Sequence, residues 1–370
     1  MKIDCNRSLL ASALAVVGSV IPSKTPSPIL QNVLLEVKKG KAVLIGTDSE
    51  ISIRHDVSDV TCTGSDSVLL PVKKVRDVLA ELRAERVTLD CESKILRVSC
   101  DRGKFNIPTS DAADFPVVKE FKEQSYYTMP GDVVRRMIRR TIFATDPSSS
   151  RFALGGVLFD VSGKKLTTVA TNGGRMSICC NPCETAGDDA GFTNGAVIPN
   201  KALSLVERTI PDTSDVVHFS FTSSEAMFKT EFATITTRLV EGRFPRYQDV
   251  IPRSHAVSLD LMAGALHSLI RQSMILTNEE SRGVDFEFSN GTLKLLSQGA
   301  DVGNSEVELP ISFDAEPIVI RLDPLYFSEF LKTVPAEFQV GLKLTDDEHP
   351  IVLTTDDGST YVIMPMQRAV

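Results

Sequence analysis

The 370-residue sequence has no tryptophan and only five histidines, which form no cluster. None of the patterns G-x-G-x-x-G, G-x-x-x-x-G-K-[ST], G-x-S-x-G or H-E-x-x-H occurs, so the usual nucleotide, hydrolase and zinc-protease signatures are missing. Ser148-Ser149-Ser150 precedes Arg151 without an evident base and reads as a loop, not a nucleophile. Asp346-Asp347 and Asp356-Asp357 sit in turn-like contexts, where aspartate serves the backbone more readily than a metal. Seven cysteines are an odd count. Cys5, Cys62, Cys91 and Cys100 are scattered, while Cys179, Cys180 and Cys183 supply one C-x-x-C with no second pair and only the isolated His218. That spacing is poor for zinc and suits reduced thiols in a cytoplasmic protein. No hydrophobic run approaches the length of a membrane span. Leu9–Val20 is apolar, but Asp4 lies where a signal peptide needs positive charge and no small-x-small cleavage site follows, so an amphipathic helix is expected. No catalytic centre, metal or cofactor is expected.

What is present is a folded composition: 42% hydrophobic residues, 24% charged, and a formal net charge of -8. The length suggests two or three domains. An acidic chain argues against indiscriminate coating of nucleic acid or anionic membrane, yet leaves room for a local basic surface.

A unit recurs three times. Helices are expected over Arg7–Val17, Asp132–Phe143 and Leu261–Ile275, each opening one third of the chain. Hairpins follow, beginning at Val33, Val157 and Val284, about 125 residues apart. Their turns, KKGK, SGKK and SNG, carry the glycine and asparagine that tight hairpins need. Second helices are expected over Leu70–Leu82, Ile198–Thr209 and Leu322–Val334, and alternating strands close each unit. Asp114-Phe115-Pro116 recurs as Arg243-Phe244-Pro245. Domain boundaries then fall near Phe121–Ser125 and Ile251–His255. Repeats this long are whole domains; hairpins outnumber helices, so the class is α+β with mostly antiparallel sheet.

The segment Gly131–Phe143 has two unlike faces. Val134, Met137, Ile138 and Thr141 share one; Arg135, Arg136, Arg139 and Arg140 share the other, with no carboxylate at i+3 or i+4 inside the run. Lys73, Lys74 and Arg76 add cations to the second helix of the first repeat, and Lys201 and Arg208 to that of the second. His267, Arg271 and Lys332 make a weaker set in the third. A cationic helix face on an acidic body suits a phosphate backbone touched without reading bases. The competing reading is a protein-interaction scaffold without DNA. It would gain if the arginines at 135–140 proved buried in salt bridges.

Several motifs, in order and on a threefold repeat, resemble the bacterial sliding clamp family, the beta subunit of DNA polymerase III. They are Pro28-Ile29-Leu30, Ala112-Ala113-Asp114-Phe115-Pro116, Thr168-Val169-Ala170-Thr171, Gly242-Arg243-Phe244-Pro245 and Met364-Pro365-Met366. The resemblance implies three similar clamp domains, at 1–122, 126–250 and 253–370, with antiparallel sheets outside and two helices per domain inside. It implies a head-to-tail homodimeric ring around double-stranded DNA, bound without sequence preference. It also implies a clamp loader, the DNA polymerase III catalytic subunit and other clamp-binding-motif proteins as partners, and no active site.

Carried over by motif, the partner peptide pocket comprises Leu154, Thr171, Gly173, Arg175 and Met176 from the second domain. Pro245 and Val250 follow, and Val362, Met364, Pro365 and Met366 complete it. Gly173 and Arg175 are expected in an exposed loop. The family commonly has histidine at Gly174, leucine at Met176 and arginine at Gln367, and the tail Arg368-Ala369-Val370 is an extension. DNA contacts are implied for Lys24, Lys73 and Lys201, beside the four arginines; Asn200 stands where a basic residue is frequent. At the ring interface, Ile275 and Leu276 would face Lys74, Arg102, Lys104 and Phe105.

Overall fold

The computed structural model describes residues 1–92, 94–149, 153–187, 195–211, 215–277, 282–299 and 303–367. Ser150 and Arg151 of the serine run and the tail 368–370 lie outside these. Taken over the described residues, one compact unit comprises Met1–Arg135, Cys183–Phe192 and Lys201–Leu239. The other comprises Arg136–Pro182, Thr193–Asn200 and Val240–Val370.

The three repeats share one element order, except that the third, among the described residues, has four strands between its two helices where the others have five. In the first, β1 (Lys2–Asn6) leads into α1 (Arg7–Gly18), then β2 (Asn32–Lys38), β3 (Lys41–Thr47), β4 (Ile51–Asp56), β5 (Val60–Thr63) and β6 (Asp66–Pro71). α2 (Val72–Glu81) and β7 (Arg86–Glu92), β8 (Ile95–Cys100) and β9 (Gly103–Pro108) complete it. The second runs β10 (Tyr126–Pro130), α3 (Gly131–Thr141), β11 (Gly156–Ser162), β12 (Lys165–Thr171), β13 (Arg175–Pro182), β14 (Glu184–Ala186), β15 (Ala196–Pro199) and α4 (Asn200–Thr209). β16 (Val216–Phe221), β17 (Glu225–Lys229) and β18 (Ala233–Arg238) follow. The third runs β19 (Val257–Met262), α5 (Ala263–Ser273), β20 (Val284–Ser289), β21 (Thr292–Gly299), β22 (Gly303–Pro310), β23 (Ile318–Leu322) and α6 (Pro324–Leu331). It ends on β24 (Gln339–Leu344), β25 (Ile351–Thr355) and β26 (Ser359–Ile363).

Every repeat therefore opens on a strand, not on the helix expected. The helices start where capping lets them. Asn6 accepts from the backbone amides of Ser8 and Leu9, and Asp323 accepts from Leu325, with Pro324 in the first turn. The hairpin turns need left-handed backbone, and Lys39-Gly40 (φ 51 and 76) and Asn290-Gly291 (φ 48 and 74) supply it. Helix α1 buries Leu10, Ala13, Leu14 and Val17 and packs on α2 and on β3. Gly46 permits that approach, because a Cβ there would lie 2.7 Å from Val17 Cγ1.

All ladders are antiparallel. In the first unit, one sheet has the order β5-β1-β7-β8-β9, and a second runs β14-β10-β16-β17-β18-β4-β3-β2-β6. In the other unit the orders are β15-β11-β12-β13-β26-β25-β24-β19 and β22-β21-β20-β23. The last strand of the second repeat, β18, pairs with the third hairpin strand of the first, β4. The last strand of the third repeat, β26, pairs in the same way with β13. Among the described residues, the equivalent strands β9 and β22 each have a partner on one side only, β8 and β21.

Candidate peptide-binding pocket and nucleic-acid interface

The segment between β12 and β13 is a tight side-chain-capped turn. Asn172 Oδ1 accepts from the amides of Gly174 and Arg175, both at 3.0 Å. The Thr171 hydroxyl accepts from Gly173 N and donates to Arg175 O. Gly173 sits at φ 89, a conformation that favours glycine. The chain after β26 is tied to the same turn, since Met364 N donates to Gly174 O at 2.9 Å.

Beside this turn lies a cavity of about 300 Å³. Leu154, Thr171, Gly173, Arg175 and Met176 line one side, Pro245, Tyr247 and Val250 another, and Val362 and Met364 the rest. Met176 and Val362 are buried in the adjoining core, while Val250 and Met364 are exposed at the rim. Nine of the residues named from sequence are thus brought together. Pro365 and Met366 line a neighbouring cavity of about 560 Å³ with Arg321 and Asp347. Tyr247 was missed. Its signal was its place between Pro245 and Val250, two residues already assigned. The Tyr247 hydroxyl donates to Asp160 Oδ2 at 3.2 Å. Burial, with the Asp160 charge beside it, pushes the phenol up to about 12, so it stays a donor.

Arg175 is not the exposed loop residue expected. It is 7% exposed. Its guanidinium pairs with Glu329, donates to Phe143 O at 2.5 Å and lies 4.5 Å from the Tyr326 ring centroid. A buried arginine is tolerated only when so paired. It forms a wall of the pocket with its charge already engaged.

The arginine helix also departs from expectation. Val134, Met137, Ile138 and Thr141 are buried as expected, but the four arginines do not form one exposed cationic face. Arg140 is 2% exposed and reaches Asp357 Oδ2 at 2.7 and 3.1 Å, with Thr333 Oγ1 at 2.9 Å. Arg136 Nε lies 3.8 Å from the same carboxylate, and Arg135 donates to Ile210 O and Pro211 O. Arg139 is exposed. The physical reason is that the helix has no carboxylate at i+3 or i+4 within the run, and the one that pairs with Arg140 arrives from the distant β25–β26 turn. Burial alone would raise the Asp357 carboxyl. The hydroxyls of Thr355 and Ser359 and the Arg140 guanidinium outweigh it and hold the group below the usual carboxylate range. Asn200 is also engaged, donating to the Thr145 hydroxyl.

Lys24 and Lys73 are exposed; Lys201 is exposed and pairs with Asp48 at 2.5 Å. Lys74 lies on the solvent side of α2, and Arg102, Lys104 and Phe105 are exposed at the one-sided edge strand β9. Ile275 is 74% exposed just beyond α5. Leu276 lies near the start of the other one-sided edge, its Cδ1 3.9 Å from where a Cβ on Gly303 would stand. All seven cysteines are free. Among the described residues no group of three His, Cys, Asp or Glu is placed to hold a metal ion, and no helix is long and apolar enough to cross a membrane.

Three family models match in order: the N-terminal domain of the DNA polymerase III beta subunit over residues 1–119, its central domain over 128–246 and its C-terminal domain over 248–367. The chain belongs to the DNA polymerase III beta subunit family. Relatives agree along the whole length. The beta sliding clamp of Chlamydia trachomatis is 29% identical over 370 residues, covering 99% of this chain and 87% of that one. That of Escherichia coli K12 is 26% identical, covering 99% and 100%. A Pseudomonas aeruginosa sliding clamp solved with bound griselimycin superposes with a TM-score of 0.91 at 27% identity, over 100% of both chains. A Bacillus subtilis sliding clamp has the same fold, with a TM-score of 0.91 over 100% of both chains at 20% identity. The function of this beta subunit is accordingly that of a sliding clamp, a non-catalytic processivity factor in DNA replication. The scaffold alternative is not favoured, although Arg140 is buried in an ion pair, because the family is shown over the whole chain.

Proposed function

We propose that two copies of this clamp close head to tail into a ring around duplex DNA in the cytoplasm, and that partners are held through the pocket at Thr171–Met176, Pro245–Val250 and Val362–Met366. The observation that carries the ring is the strand-pairing rule. β18 joins β4 and β26 joins β13. Continued by one step, the rule pairs β9 of one chain with β22 of a second, which uses up the unpaired sides of these two equivalent strands. Two such interfaces related by a twofold axis give closed symmetry. Ile275 and Leu276 then meet Lys74, Arg102, Lys104 and Phe105 of the partner copy.

Contact with DNA is sequence-blind and salt-sensitive, through Lys24, Lys73, Lys201, Arg139 and Arg135, with Arg136 nearby. Arg140 supports the helix from within. Retention comes from encirclement, so direct contacts stay weak. Clamp-loader, polymerase and repair-protein tails enter the pocket as short segments with an apolar anchor, ordering as they bind. Ile275→Asp combined with Leu276→Lys tests the interface: light scattering should give a monomer, and a persistent dimer would place the contact elsewhere.

A further inference from the structure

The apolar pocket continues into a cavity on each side, and the two cavities carry opposite charge. On one side, Pro245 and Tyr247 are shared with a cavity of about 490 Å³ that also takes Arg243 and Arg246. Its acid, Asp160, already accepts from the Tyr247 hydroxyl. Arg243 and Arg246 are exposed. On the other side, Met364 is shared with the cavity that takes Asp347 and Glu348, both exposed. Its only arginine among the described residues, Arg321, pairs with Asp285 at 3.1 Å and donates to Gly283 O. That leaves the two carboxylates dominant. Gln367, in the same cavity, adds no charge.

Resting on the peptide-pocket reading above, we propose that the groove selects a dipolar peptide: an apolar anchor in the central pocket, an acidic residue on the Arg243–Arg246 side and a basic residue on the Asp347–Glu348 side. Charge complementarity at exposed rims acts on orientation and rejection more than on raw affinity. A peptide with its charges the other way round meets like charge at both ends. For tails that cross the methionine and valine surface in one backbone direction, the rim charges thus decide which order of charges is accepted.

The test uses the full-length dimer and two fluorescent peptides with one apolar core. One carries glutamate before and lysine after the core; the other carries the reverse. Fluorescence anisotropy at low salt should separate them by at least about fivefold, and the gap should shrink as salt screens the exposed pairs. The quadruple variant Arg243→Glu, Arg246→Glu, Asp347→Lys, Glu348→Lys should reverse the preference. A melting curve on that variant confirms that it is folded. Equal binding of the two peptides to the wild type, with Met364→Ala still weakening both, overturns the charge selection and leaves the pocket standing. No binding of either peptide at any salt overturns the pocket and the selection together.

Discussion

Replacing Arg140 with methionine should destabilise the protein severely, although it lies on what reads in sequence as a solvated basic face. Arg140 is 2% exposed, and two of its nitrogens reach Asp357 Oδ2. Its third donor, Nη1, serves the Thr333 hydroxyl. Removing the guanidinium leaves a carboxylate whose side chain is 14% exposed, held by the hydroxyls of Thr355 and Ser359, with Arg136 at 3.8 Å. Removing one partner of a buried pair costs about 3–5 kcal/mol. Arg136 can move in and take up part of the charge, which places the expectation near the lower end, about 3 kcal/mol. Urea unfolding followed by circular dichroism reads this directly, and the absence of tryptophan makes the far-ultraviolet signal the natural probe. Asp357→Asn added to Arg140→Met should cost clearly less than the sum of the single changes, since the pair is then removed together. A loss below about 1 kcal/mol for Arg140→Met would show the pair to be dispensable and refute the reasoning.

The same carboxylate gives a pH prediction. Its folded pKa is depressed, so its contribution is full above the unfolded carboxylate value, about 3.9, and is lost as pH falls through the lower folded value; Asp357→Asn should flatten that part of the acid-unfolding curve. Arg139→Ala should leave stability within about 0.5 kcal/mol of wild type and weaken low-salt DNA binding in a gel-shift assay, whereas unchanged binding would turn this helix away from DNA. Met364→Ala with Met366→Ala should weaken a polymerase tail peptide several-fold by calorimetry with the melting temperature nearly kept, and full affinity would move the partner site. Gly156→Ala should cost about 1–3 kcal/mol in urea unfolding, because a Cβ there would stand 2.3 Å from Ile198 O across the β11–β15 ladder; an unchanged midpoint would contradict that register.

Local chemistry was legible where the signal was local. Lys39-Gly40 and Asn290-Gly291 announce their hairpins because few other residues take left-handed backbone, and α3 was visible through Val134, Met137, Ile138 and Thr141. The opening strands were not, because five residues such as Lys2–Asn6 are too short for a periodicity to stand out before the capping Asn6. Pocket segments came from motif resemblance, and the fold brings nine of those residues to one cavity without testing their role. The fate of Arg140 was out of reach, since Asp357 lies 217 positions away and no window of sequence contains both. The one-sided edges of β9 and β22 depend on pairings made elsewhere in the chain, and so became visible only once every ladder was assigned.

The central claim, that this chain is retained on DNA by topology, is tested most directly by loading it onto nicked circular DNA and then linearising the circle. The account predicts that the protein stays through gel filtration on the circle and runs off once an end is cut. Equal retention on circular and linear DNA, or loss from both, would contradict it.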